Sequence, residues 1–232
     1  MKQLALDIGL ASGPTLARFF AGPNEAALQH LRLWAGEGSQ PDTRSPVPTY
    51  LWGEAGSGKT HLLKAVRQAL SDQGASVGWL DASVASAAEF DERWAAVVLD
   101  DVHLYSTAQQ AMAFNWFVNA ISPANGAPRW VLAAGNLPPA DLPLRDDLRS
   151  RLGWGHVFQL QLLGEAERRA VLRQEADARG VFLGDEVMDY MLNRFSRDLG
   201  SLMQLLDQLD AFALRTQRAI TIPLLKAMLE SE

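Results

Sequence analysis

Gly53-Glu54-Ala55-Gly56-Ser57-Gly58-Lys59-Thr60 places three glycines, one lysine and two hydroxyls within eight residues. Each fixed position of this pattern has a task in holding a phosphate chain. The glycines let successive backbone N–H groups turn inward without a Cβ in the way. Lys59 supplies a compact positive charge to the β- and γ-phosphates, and the Thr60 hydroxyl can complete a Mg²⁺ shell. A helix starting at this loop adds the positive end of its dipole. Forty-one residues beyond Lys59, the apolar run Val97-Val98-Leu99 ends in Asp100-Asp101. Asp100 at a strand end would hold the cation through water, and Asp101 could orient the attacking water. Asn136, which closes Ala133-Ala134-Gly135-Asn136, lies where an amide could position that water or report hydrolysis. Two arginines complete the set. Arg151 lies where it could reach a nucleotide on a neighbouring subunit, neutralising the charge that develops during phosphoryl transfer. Arg197 opens a later helix and could touch the γ-phosphate from that side. The chemistry read from these residues is binding of a nucleoside triphosphate or its diphosphate product.

The elements that must position them follow from periodicity. Strands are expected at 48–52, 76–81, 95–100, 129–134 and 156–160, separated by helices near 61–70, 83–94 and from Ser106 onward. Ser106 reads as an N-cap with Gln109 as its capping-box partner, and Met112, Trp116 and Phe117 as the buried face. A further helix at 24–34 precedes a polar, Pro/Gly-rich connection at 36–47. Alternating strands and helices imply an α/β fold with a mostly parallel five-stranded sheet covered on both faces. From 163 the pattern is helical only, near 164–179, 185–195, 197–216 and 221–230, with Thr221 capping the last and Pro223 in its first turn. The expected organisation is a short N-terminal segment at 1–12, a nucleotide-binding domain at 13–162 and an all-helical lid at 163–232.

Composition narrows the classes. With 48% hydrophobic and 21% charged residues, the chain is ordinary for a globular protein. It has no cysteine, so disulfides and thiolate metal sites are excluded, and its four histidines lack metal-ligand spacing. No apolar run is long enough to span a bilayer and no signal peptide is visible, which predicts a cytoplasmic protein without a membrane partner. A net charge of −6 argues against a protein that lives mainly on nucleic acid.

The ordered set of motifs resembles the AAA+ ATPases, and among them the replication initiator DnaA, over about residues 14–230. The P-loop is similar to the initiator's even to His61 after Thr60. Asp100-Asp101-Val-His looks like its Walker B, and Arg149-Ser-Arg151-Leu-Gly-Trp-Gly like its box VII, where Arg151 matches the arginine finger. Arg197-Asp-Leu-Gly resembles sensor 2, and Asn136 falls at sensor 1. Pro14–Asn24 resembles the segment that holds the adenine base, which implies roles for Phe20 and Asn24. Two departures point further. The helix-turn-helix domain that initiators carry after the lid is not expected here, and about a dozen residues precede the core. Among those, Gln3-Leu4-Ala5-Leu6-Asp7-Ile8 is similar to the peptide with which bacterial proteins bind the replicative sliding clamp. Gln3 would hydrogen-bond at the rim, and Leu4, Leu6 and Ile8 belong to the same motif, with Leu6 and Ile8 filling apolar subsites.

An AAA+ core without the DNA-reading domain, led by such a peptide, resembles the Hda family of DnaA regulatory inactivators. That resemblance implies ADP or ATP with Mg²⁺ as ligands. Its partners would be DnaA and the DNA polymerase III sliding clamp, with DNA reached only through the clamp and a homodimer left open. It also implies negative regulation of replication initiation by promoting hydrolysis of DnaA-bound ATP. Intrinsic ATP hydrolysis stays open, because Asp100 and Asp101 are both present. The other readings are an AAA+ helicase loader, a small-molecule kinase, and a nucleotide-gated clamp adaptor that does not stimulate hydrolysis.

Overall fold

The computed structural model describes residues 13–36, 47–84, 89–124, 126–195 and 199–230. It divides into two compact units: residues up to 160 except 54–57, and residues 161 onward together with 54–57.

The first unit is built on five strands: β1 (Thr49–Trp52), β2 (Ser76–Leu80), β3 (Trp94–Leu99), β4 (Trp130–Gly135) and β5 (His156–Gln159). All paired strands run parallel, in the order β2-β3-β4-β1-β5. Helices α1 (Glu25–Trp34), α2 (Lys59–Asp72), α3 (Thr107–Ile121) and α4 (Asp146–Leu152) cover the sheet. The three central strands β3, β4 and β1 are buried on both faces, as parallel sheets require, and strand alternation sorts their side chains. Leu51, Ala96, Val98, Leu132 and Ala134 pack into one core with Leu28 and Leu31 of α1 and Leu62, Leu63 and Val66 of α2. Their neighbours Tyr50, Val97, Leu99, Val131 and Ala133 pack on the opposite side with Trp116 and Phe117 of α3 and Leu148 and Leu152 of α4. Each of these fully buried leucines contributes about 1.5–3 kcal/mol through burial.

The strand order fixes where the chemistry falls. β4 lies between β3 and β1, with Leu99 opposite Ala133 and Trp52 opposite Gly135. The loops after β1, β4 and β3 therefore leave the same edge side by side, at the carboxyl ends where α/β sheets hold ligands. These loops carry the P-loop, Asn136 and Asp100-Asp101 respectively.

The second unit is helical: α5 (Glu165–Ala178), α6 (Asp185–Arg194), α7 (Leu199–Thr216) and α8 (Ile222–Leu229). Leu172, Met188, Met191, Leu202, Leu206, Leu209, Leu224 and Leu225 form its core. Thr221 caps α8, accepting from the Leu224 N–H at 3.3 Å, with Pro223 in the first turn. Ion pairs join Arg169 to Asp189, Arg173 to Asp185 and Arg179 to Asp207 across its surface. No helix among the described residues is long and apolar enough to cross a membrane.

Besides α4, where no helix was expected, two segments differ from the sequence reading. The described residues between 82 and 93 contain no helix, and β3 already begins at Trp94. The Asp91 carboxylate instead receives the Arg93 N–H at 2.9 Å and forms an ion pair with the Arg93 guanidinium, closing a turn into the strand. In α3 the buried face is Gln109, Ala113, Trp116, Phe117 and Ala120, with Met112 at its margin.

Candidate functional site

The site grows from the end of β1. Gly53, Gly56 and Gly58 all have positive φ, at 155°, 81° and 93°. At Gly58 the requirement is also steric, since a Cβ would lie 2.7 Å from the Phe19 ring. This chain path delivers Lys59 and Thr60 as the first residues of α2, with the helix N-terminus aimed into the loop.

Lys59 is 6% exposed and donates to the Gly53 carbonyl at 2.8 Å. Burial lowers its pKa, opposed by the charges of Asp101 and Asp100. The Thr60 hydroxyl donates to Asp100 Oδ1 at 3.2 Å, joining α2 to the end of β3. Asp100 is 3% exposed. Burial, then the neighbouring Asp101 charge, pushes its pKa up to about 6. Asp101 adopts the left-handed conformation at φ 50°, and its N–H donates to Asp100 Oδ1 at 3.0 Å.

This donor set suits Mg²⁺ carried by a nucleotide. The described residues contain no cluster of three or more metal-ligating side chains. One hydroxyl and one carboxylate nevertheless suffice when phosphate oxygens and water complete an octahedron. The favourable charge of Lys64 does not offset burial and the Asp101 charge at Asp100, and a divalent cation beside Thr60 would add the positive charge that favours the carboxylate.

Asn136 is exposed immediately after β4. Tyr50, which the sequence reading did not single out, braces this turn: its hydroxyl donates to the Leu137 carbonyl at 2.8 Å. The same hydroxyl occupies the space a Cβ on Gly135 would need, so Gly135 and Tyr50 form a matched pair. Phe19 was also missed. Its ring lies 5.6 Å from that of His61 and packs over Gly58, whereas Phe20 is half-buried and Asn24 is buried. The signal for Phe19 was the pair Phe19-Phe20, of which the sequence could not choose the inward member.

Arg151 lies on α4, a helix the sequence reading did not resolve. Leu148 and Leu152 anchor α4 to the core one turn apart, which leaves its arginines at the surface. Arg145 is paired with Asp147 and Arg149 with Asp146, each at 2.6 Å. Arg151 instead donates from Nη1 to the Asp147 carbonyl at 2.9 Å and lies over the ring of Phe114. Arg197 and the segment with Gln3, Leu4, Leu6 and Ile8 lie outside the described residues.

Comparison with known proteins places this architecture. The family model for the Hda lid domain matches residues 165–229. An uncharacterized protein of Haemophilus influenzae is 33% identical over 237 residues, covering 98% of each chain. Domain III of the Thermotoga maritima replication initiation protein DnaA superposes with a TM-score of 0.75 at 20% identity, covering 99% of this chain and 98% of that one. AMPPCP-bound DnaA from Aquifex aeolicus matches with a TM-score of 0.65 at 22% identity, covering 85% of this chain and 65% of that one. The chain thus joins a parallel-sheet unit with the fold of DnaA domain III to a lid that matches the Hda family, and these two findings support an Hda-type, DnaA-like AAA+ protein.

Proposed function

We propose that this protein is a negative regulator of replication initiation that promotes hydrolysis of the ATP bound to the initiator DnaA. In this reading it binds ADP or ATP with Mg²⁺ at the P-loop, docks on the DNA-loaded sliding clamp through residues 3–8, and inserts Arg151 into the initiator's nucleotide site. Lys59 and the loop N–H groups hold the protein's own β-phosphate, while Thr60 and Asp100 hold the cation. Asn136 and Arg197 sense the γ-phosphate position, Phe20 and Asn24 flank the base, and His61 belongs with the P-loop to the nucleotide-binding set. Asp101 is the residue on which any intrinsic hydrolysis depends.

The observation that carries the proposal is the state of Arg151. Of the three arginines at α4, Arg145 and Arg149 are ion-paired with carboxylates, whereas Arg151 meets a backbone carbonyl and the Phe114 ring instead. A guanidinium without a carboxylate partner is what stabilisation of phosphoryl transfer in trans needs, and such an arginine accelerates hydrolysis about 10³–10⁵-fold. The anchoring half of the proposal is tested with Gln3→Ala combined with Leu6→Ala. Surface-plasmon binding to clamp loaded on DNA should disappear while nucleotide affinity stays intact. Undiminished clamp binding would remove the anchoring role of residues 3–8.

A further inference from the structure

Arg151 is held by an aromatic face. Its guanidinium carbon lies 4.5 Å from the centroid of Phe114 on α3 and 5.7 Å from that of Trp154, just beyond α4. Arg145 reaches the same Phe114 ring at 5.7 Å, but its charge is already committed to Asp147. Phe114 is half-buried and packs against the core beneath the sheet, so its ring is a fixed platform. Trp154 is 66% exposed and forms an outer wall.

A carboxylate in the place of Phe114 would hold Arg151 as well, but it would cancel the charge. An aromatic face attracts a cation through its quadrupole and leaves the net charge and most N–H donors free. The Nη1 bond to the Asp147 carbonyl fixes the orientation without neutralising the group. We propose that Phe114 is a positioning residue for Arg151: its ring, with Trp154 as second wall, pre-orients an unneutralised guanidinium for the phosphates of a nucleotide on a neighbouring protein. This inference rests on the reading of Arg151 as acting in trans, and it deepens that reading by saying what holds the arginine ready. Part of the orientational cost of reaching the transition state is then met before the partner arrives.

Two variants separate an aromatic face from mere apolar bulk. Phe114→Leu keeps the hydrophobic anchor and removes the ring; Phe114→Tyr keeps the ring. In the full-length protein, the Arg151 Nε–Hε NMR signal, assigned through Arg151→Lys, should sit upfield from ring current. It should return toward the solvent-exposed position in Phe114→Leu and stay in Phe114→Tyr. In a hydrolysis assay with ATP-loaded DnaA and DNA-loaded clamp, Phe114→Leu should lower the maximal acceleration about 3–30-fold, the range of one cation–π contact. The half-saturating concentration should hold within about twofold, and Phe114→Tyr should restore the maximum. An unmoved Arg151 signal in Phe114→Leu, or a tyrosine variant that behaves like the leucine one, overturns the proposal. So does a raised half-saturation at unchanged maximum, which would make Phe114 a contact residue. If wild-type protein gives no acceleration, the trans-acting reading falls and the purpose of the seat falls with it, while the NMR signal still decides whether the seat exists.

Discussion

Asp100→Asn tests whether the buried acid beside Thr60 is kept for a cation at the expense of the empty fold. The side chain is 3% exposed, and burial together with the Asp101 charge raises its pKa from 3.8 to about 6. Between those values the folded protein holds a proton that the unfolded chain has released. Unliganded stability therefore falls as pH rises from about 4 to 6, and stays low above that. At about 1.4 kcal/mol per pKa unit, a shift of roughly two units costs on the order of 3 kcal/mol at pH 8. Asparagine has the same shape, carries no charge, and can still accept through Oδ1 from the Thr60 hydroxyl and the Asp101 N–H. The unliganded variant should thus be more stable than wild type at pH 8 by about 2–3 kcal/mol, and nearly equal to it at pH 4. All seven tryptophans, Trp34, Trp52, Trp79, Trp94, Trp116, Trp130 and Trp154, fall in the sheet unit, so urea unfolding followed by tryptophan fluorescence reports on that unit. With Mg²⁺ and nucleotide present the order should reverse, because only wild type gains cation-linked stability. A variant less stable than wild type without ligand at pH 8, or one that gains equally from Mg²⁺, would refute the reasoning.

Other expectations follow from the same geometry. Lys59→Ala removes a charged donor from the phosphate cradle and should weaken calorimetric nucleotide binding about 10–100-fold; full retention would contradict the cradle. Gly135→Ala drives a methyl group into the Tyr50 hydroxyl and to 3.2 Å from Val102, and should cost about 1–3 kcal/mol in urea unfolding. Tyr50→Phe should recover part of that loss, and strictly additive effects would show that the two residues do not compete for one space. Burial, then the nearby charge of His156, holds the His30 pKa down at about 4. Its contribution is full above pH 6.5 and is lost as pH falls toward 4. His30→Gln should therefore remove about 1–2 kcal/mol of acid sensitivity, discounted because the ring is half exposed; identical pH profiles would deny His30 that role. The comparison must be variant against wild type, because Asp100 acts in the opposite direction over part of this range.

How far the chain could be read depended on what each residue had to do alone. Gly58, Lys59 and Thr60 were legible because their positions follow from phosphate chemistry, and Asp100 because an apolar strand must end before a carboxylate can face a ligand. The capping box at Ser106 and Gln109 was equally local, and it is present, with the Ser106 N–H donating to Gln109 Oε1 at 2.9 Å. The further task of Gln109, donating to the carbonyls of Asp81, Ala82 and Val84, joins residues some 25 apart and left no local trace. Helix α4 was missed because its seven residues carry only Leu148 and Leu152 as a periodic signal. The stretch 83–94 went the other way, as alanine-rich propensity there suggested a helix while Asp91 and Arg93 close a turn. The distinction between Arg149 and Arg151 is only half local: Arg149 meets Asp146 one turn away on the same helix, whereas the seat of Arg151 on Phe114 is tertiary.

The central claim is that Arg151 acts on another protein's nucleotide. The direct measurement is single-turnover hydrolysis of labelled ATP preloaded on cognate DnaA, with DNA-loaded clamp and ADP, in the presence of wild-type protein or Arg151→Ala. The account predicts strong clamp-dependent acceleration by wild type, and its loss in the variant with clamp binding unchanged. Equal acceleration by Arg151→Ala, or none by wild-type protein bound to the clamp, would contradict it.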